Sequence, residues 1–183
     1  MFVKSAFAVD YERLRRRRGI KALIFDIDNT IAPFDVADPP EEASAFLAGL
    51  KALGFRICLL SNGGRRRVER FNRGMGLHAV HRAGKPGPLG LRKALRLLRA
   101  GPRETALIGD QVFTDVLCGN IWGLYTILVR PVSGRDEFSV RLKRGIEKQV
   151  IRMYKKKWRS YHGKGSSQLY GGYRRKRDGQ HFE

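Results

Sequence analysis

The stretch Leu23-Ile24-Phe25-Asp26-Ile27-Asp28-Asn29-Thr30 decides the fold. Ala22 to Phe25 is apolar without interruption. A short run of that kind reads as a central strand buried on both faces, most naturally a parallel one, and the strand is predicted over residues 21–27. Residues two apart on a strand point the same way, so Asp26 and Asp28 leave its carboxyl end together. Ligands of open α/β sheets bind at that end. Two carboxylates so close repel unless a cation lies between them or one takes a proton. The pattern therefore asks for a hard metal ion, a nucleophile–acid pair, or both. By itself it also suits an Asp-Asn turn after a strand, and the rest of the chain has to decide.

Further along, strand and helix patterns alternate. Pro39-Pro40-Glu41-Glu42 has the proline and acids of a helix start. Ala43, Phe46, Leu47, Leu50 and Leu53 then recur at helical spacing until Gly54. Phe55 to Leu60 is a second apolar run, ending in Ser61-Asn62-Gly63-Gly64. A basic helix is expected from Arg65 to Gly74, and a short strand near Ala79 to His81. Lys85-Pro86 introduces a helix with Leu91, Leu95 and Leu98 on one face. Thr105 to Ile108 is the next strand, running into Gly109-Asp110. A helix is expected over Val112 to Ile121, and a last strand over Tyr125 to Val129. The alternation predicts an α/β fold: a doubly wound, Rossmann-like parallel sheet of five strands. Tyr11 to Arg18, with five arginines, reads as a solvated lead-in. The expected organisation is a basic lead-in over 1–20, a catalytic domain over 21–132, a basic amphipathic extension over 133–160 and a disordered basic tail over 161–183.

Each informative polar group follows a strand. Asp26 and Asp28 follow the first, Ser61 and Asn62 the second and Asp110 the fourth, with Asp115 about a turn later. Lys85 lies in the loop after the third. Parallel strands share one carboxyl edge, so these groups converge on one pocket. Its carboxylates suit Mg²⁺, which takes few protein ligands and leaves room for a substrate phosphate. The Lys85 ammonium and the Ser61 hydroxyl would hold other phosphate oxygens, as in a phosphoryl-transfer site. Arg65 to Arg67, just beyond Ser61-Asn62, suit either a solvated face or a second substrate phosphate.

In that order, Asp26-Ile27-Asp28-Asn29-Thr30, Ser61-Asn62, Lys85-Pro86 and Gly109-Asp110-Gln111-Val112-Phe113-Thr114-Asp115 resemble the four motifs of the haloacid dehalogenase-like (HAD) superfamily, over residues 21–132. The last of these, with Gly123-Leu124-Tyr125-Thr126-Ile127 and Val3-Lys4-Ser5, is similar to the bacterial YqeG-type subgroup of subclass IIIA. That subgroup is similar to mitochondrial phosphatidylglycerophosphate phosphatases. The resemblance implies Asp26 as nucleophile, Asp28 as general acid and base, and Lys85 as a charge-balancing catalytic group. It implies phosphate contacts from Ser61, Asn62 and Thr30, and Mg²⁺ held by Asp26, the Asp28 carbonyl and Asp110. Asp115 is implied as support for Lys85 or for a metal-bound water. An aspartate at position 28 marks phosphatases within the superfamily.

The gaps between these motifs are too short for a cap domain of ordinary size, which favours a large or membrane-held substrate. Charge points the same way. The chain of 183 residues carries a formal net charge of +20, and its last 51 residues hold 15 basic and 5 acidic side chains. Such a field attracts phosphate-rich partners. Residues 139–159 set Leu142, Ile146, Val150 and Met153 against a basic face, the pattern of an interfacial helix or of a helix whose apolar face docks on the catalytic domain. The expected partners are a phosphorylated substrate, in first place an anionic phospholipid, and a membrane surface reached through that helix. Arginines interleaved with Tyr161, Tyr170 and Tyr173 also suit single-stranded RNA, and a soluble sugar, nucleotide or protein substrate is the other alternative. Cys58 and Cys118 match no metal-ligand spacing and read as buried thiols in a reducing compartment. With no run of 18 apolar residues, the expected location is cytoplasmic, peripheral on the inner membrane face.

Overall fold

The computed structural model describes residues 1–133, and the expected amphipathic extension and basic tail lie outside them. Six parallel strands form the sheet. They are β1 (Phe2–Val3), β2 (Ala22–Phe25), β3 (Arg56–Leu60), β4 (His78–Val80), β5 (Thr105–Gly109) and β6 (Tyr125–Val129), in the spatial order β1-β6-β5-β2-β3-β4. The five expected strands are all present, with β2 at the centre. Its register pairs Phe25 with Leu59 on one side and with Ile108 on the other.

Helices cover both faces. They are α1 (Tyr11–Arg18), α2 (Glu41–Ala52), α3 (Arg65–Phe71), α4 (Pro88–Leu98) and α5 (Leu117–Trp122). The two-residue alternation of a strand sorts β2 between two cores. Leu23 and Phe25 pack with Leu14 of α1, Leu47 and Leu50 of α2, and Val68 and Phe71 of α3. Ala22 and Ile24 face the opposite way, toward Leu91, Ala94 and Leu98 of α4 and Cys118 of α5. All four β2 residues are buried. That is why the strand shows an unbroken apolar run rather than alternation.

Two sequence-based expectations need correction. The sheet has six strands because Phe2 and Val3 add an edge strand beside Leu128 and Val129 of β6. A two-residue strand is too short to leave a periodic signal. The arginine-rich segment is not a solvated lead-in either. It is α1, capped by the Asp10 carboxylate, which accepts from the Arg13 N–H at 2.8 Å. Four arginines lie in its last turn, where the helix dipole favours cations. It buries Tyr11 and Leu14, and the Tyr11 hydroxyl donates to the Ala6 carbonyl at 2.8 Å. Tyr11 also stacks edge-on with Phe46 and Phe55, at 5.7 and 6.2 Å between ring centres. An inward face of two residues per eight escapes a periodicity count dominated by charge.

The expected helix over Val112 to Ile121 begins as a π-helical turn, Val112–Val116, before α5 takes over. The Gln111 carbonyl there accepts from both Asp115 and Val116 N–H groups, at 2.9 and 3.3 Å. Widened turns of this kind are frequent at functional sites.

Candidate active site

The carboxyl ends of β2, β3, β4 and β5 bring six of the predicted groups into one hydrogen-bonded cluster. Asp26 directly follows β2 and is 4% exposed. One of its carboxylate oxygens accepts from the Lys85 ammonium and the other from the Thr30 hydroxyl at 3.4 Å. That hydroxyl also lies 3.2 Å from Asp110 Oδ1. Lys85, equally buried, reaches Asp115 Oδ1 at 2.6 Å, and Asp115 Oδ2 accepts from the Gln111 N–H at 3.2 Å. Asp115 therefore contacts Lys85 directly.

Asp28 lies to one side. Its carboxylate accepts from the Ser61 hydroxyl at 3.3 Å and from the Arg67 guanidinium at 3.0 Å. Ser61 Oγ itself accepts from the Gly63 N–H at 2.9 Å, which closes the turn after β3. Asn62 differs from its expected place at the phosphate. Its carbonyl accepts from the Lys85 N–H at 2.8 Å and its amide donates to the Lys85 carbonyl at 3.2 Å. It clamps the main chain of Lys85 and so positions the ammonium.

Arg67 is the group that the sequence left unresolved among three adjacent arginines. It also donates to the Ala37 carbonyl at 3.1 Å, tying the loop after β2 to α3. A signal was available in its neighbour Val68, which faces the core and places residue 67 on the rim of the buried side. Only packing shows which arginine turns toward Asp28.

The electrostatics follow from burial. Burial pushes the Asp26 carboxyl up to about 8, against the attraction of Lys85, and Asp115 adds repulsion. Burial and the Asp115 charge push Asp110 up to about 6. For Lys85 burial works against the charged form, but Asp115 and Asp26 outweigh it, and its pKa rises. The ammonium is therefore a permanent cation between two acids. One ammonium does not balance three carboxylates.

Oxygens of Asp26, Asp110 and Asp115 lie within 4.8 Å of one another. An all-oxygen donor set with unbalanced negative charge suits a hard divalent cation. Asp115 also holds Lys85 and the Gln111 N–H, as Asp26 holds Lys85 and Thr30, and each of the three can offer an oxygen to such an ion. The side chain of Asp28 is engaged instead by Ser61 and Arg67. Among the described residues, no domain is inserted between these motifs to cover the pocket, and no helix is long and apolar enough to cross a membrane.

Comparison with known proteins gives the family. A family profile described as HAD-hydrolase-like matches residues 82–137. The chain is 33% identical over 156 residues to the probable phosphatase YqeG of Bacillus subtilis, covering 85% of this chain and 90% of that protein. It is 28% identical over 166 residues to the chloroplastic/mitochondrial phosphatidylglycerophosphate phosphatase 1 of Arabidopsis thaliana, of which it spans 47%. Among solved structures, the cobalt-bound deoxy-D-mannose-octulosonate 8-phosphate phosphatase of Haemophilus influenzae shares the fold. The TM-score is 0.51 at 13% identity, over 61% of this chain and 69% of that one. Fold and site together define a HAD-type phosphoric monoester hydrolase. Within that superfamily the chain belongs to the YqeG-like phosphatases.

Proposed function

We propose that the protein removes the terminal phosphate of phosphatidylglycerophosphate at a membrane surface, through an aspartyl-phosphate on Asp26. The observation that carries the chemistry is the buried Asp26 carboxylate, held on one oxygen by Lys85 and on the other by Thr30. The lipid substrate is supported by the likeness to phosphatidylglycerophosphate phosphatase 1, by an uncapped pocket among the described residues, and by the basic charge.

In the first half-reaction an Asp26 oxygen attacks phosphorus and the bond from phosphorus to the ester oxygen breaks. The departing oxygen takes its electron pair and the proton carried by Asp28. In the second, water attacks the aspartyl-phosphate, gives its proton to Asp28, and restores the Asp26 carboxylate as phosphate leaves. Ser61 and Arg67 aim the Asp28 carboxylate, and Asn62 and Asp115 hold Lys85 against the reacting centre. Mg²⁺, held by the Asp26 and Asp110 carboxylates and the Asp28 carbonyl, would supply the positive charge that keeps these acids ionised and offsets charge on the phosphoryl oxygens.

The test is phosphate release from phosphatidylglycerophosphate in mixed vesicles with Mg²⁺, with wild type and Asp26→Asn side by side. Release by wild type alone is expected. Hydrolysis of a small aryl phosphate with the lipid left intact would retain the mechanism and remove the lipid.

A further inference from the structure

Single exposed apolar side chains are ordinary on protein surfaces. A group of them gathered round one pocket mouth is not. Phe34, Val112, Phe113 and Val132 are 46%, 51%, 57% and 45% exposed, and they come from the loops after β2, β5 and β6. All three loops leave the catalytic edge of the sheet. Asn29, next to Asp28, draws two of them together: its side-chain oxygen accepts from the Phe34 N–H at 3.2 Å, and its carbonyl accepts from the Val132 N–H at 2.8 Å. Val112 and Phe113 open the π-helical turn that carries Asp115, two and three residues past Asp110.

The Ser61 side of the same mouth is cationic. Arg66 is exposed in the first turn of α3, and Arg82 is exposed where its N–H donates to the Gly63 carbonyl at 2.9 Å. Neither guanidinium forms an ion pair among the described residues. The opposite edge of the sheet is built differently. There Lys21 and Arg56 are both paired with Glu104.

We propose that Phe34, Val112, Phe113 and Val132, flanked by Arg66 and Arg82, form a docking surface that seats the mouth of the active site on an anionic lipid bilayer. Apolar side chains sink to the boundary between headgroups and acyl chains, while arginines stay among the headgroup phosphates. Both signs of the chemistry are required, and both are present on this edge. Seated so, the pocket meets a phosphomonoester that stays in its leaflet, and the bilayer does the covering that a cap would otherwise do. The surface rests on the lipid reading of the active site, and it places docking on the catalytic edge itself.

The test uses the full chain with Phe113→Cys, labelled with an environment-sensitive maleimide dye. Cys58 and Cys118 are buried, and burial pushes both thiols up to about 12, so they stay unlabelled. Leu53→Cys, exposed at the far end of α2, is the control and carries the same basic tail. Vesicles of phosphatidylglycerol and phosphatidylcholine should shift the dye at position 113 to the blue and leave position 53 unchanged. No shift at 113, an equal shift at both positions, or a shift with RNA homopolymer alone would overturn the proposal. In a second arm, Val112→Ser/Phe113→Ser should keep hydrolysis of a small aryl phosphate and lose about tenfold on vesicle-borne phosphatidylglycerophosphate, the effect of withdrawing two side chains from partial burial. Equal turnover of the vesicle substrate would count against docking. A dye shift without lipid turnover by wild type would remove the substrate reading and leave the surface.

Discussion

Replacing Gly109 by alanine adds one methyl group at the heart of the Lys85 anchor. A Cβ built there lies 2.3 Å from both Cγ and Oδ2 of Asp115 and 2.5 Å from its Cβ, where ordinary contact is 3.4–4 Å. Something must move by about 1 Å. Asp115 is 1% exposed and cannot yield without stretching its bonds to Lys85 at 2.6 Å and to the Gln111 N–H at 3.2 Å. Overpacking of this kind costs about 1–3 kcal/mol, and losing one partner of a buried ion pair costs about 3–5 kcal/mol. The chain takes the cheaper route, a shift of the β5 end, so Gly109→Ala should destabilise by about 2–3 kcal/mol. Turnover should fall further in proportion, by about 100-fold, because a displacement of about 1 Å misplaces Lys85 and Asp26. Urea denaturation and aryl phosphate hydrolysis read the two effects, with Gly101→Ala as control, since nothing lies within 4 Å of its added Cβ. A double-mutant cycle with Asp115→Ala isolates the contact, and the coupling should exceed about 1 kcal/mol. Wild-type stability in Gly109→Ala, or simple additivity in the cycle, would refute the reasoning.

Two further outcomes follow from the site. Asp26 and Asp110 are pushed up to about 8 and about 6 in the folded state, so without metal the fold holds protons that the unfolded chain releases. Its stability should fall as pH rises from about 4 toward 8, while Mg²⁺, which competes with those protons, should add more stability at pH 8 than at pH 5. Thermal unfolding with EDTA or Mg²⁺ across that range checks the sign, and a larger Mg²⁺ effect at low pH would contradict it. Arg67→Ala removes a charged hydrogen bond to the partly buried Asp28 and should lower kcat/KM by about tenfold or more with the fold intact. Arg70→Ala breaks only an exposed pair with Asp38, which solvent screens, and should leave turnover near wild type. Equal losses in the two variants would remove the positioning role of Arg67.

Position along the chain was enough for much of this protein. Apolar runs of strand length, each ending in Asp26, Ser61 or Asp110, determine both the parallel sheet and its active edge, because burial on two faces leaves no alternation and a parallel strand delivers its next residues to a common side. Lys85 and Asp115 were legible for the same reason. Their partners were not. That Asn62 grips the Lys85 main chain, that Arg67 rather than Arg65 or Arg66 meets Asp28, and that Gly109 must lack a side chain are matters of contact between segments far apart in sequence. The edge strand at Phe2–Val3 and the buried face of α1 escaped for a related reason. Two residues carry too little periodicity to be counted, and only the packing of Tyr11 and Leu14 against the sheet shows which side of an arginine-rich helix faces inward. Strand periodicity is a local property of the chain, whereas the choice among equivalent polar side chains is made by the space left for them once the sheet has closed.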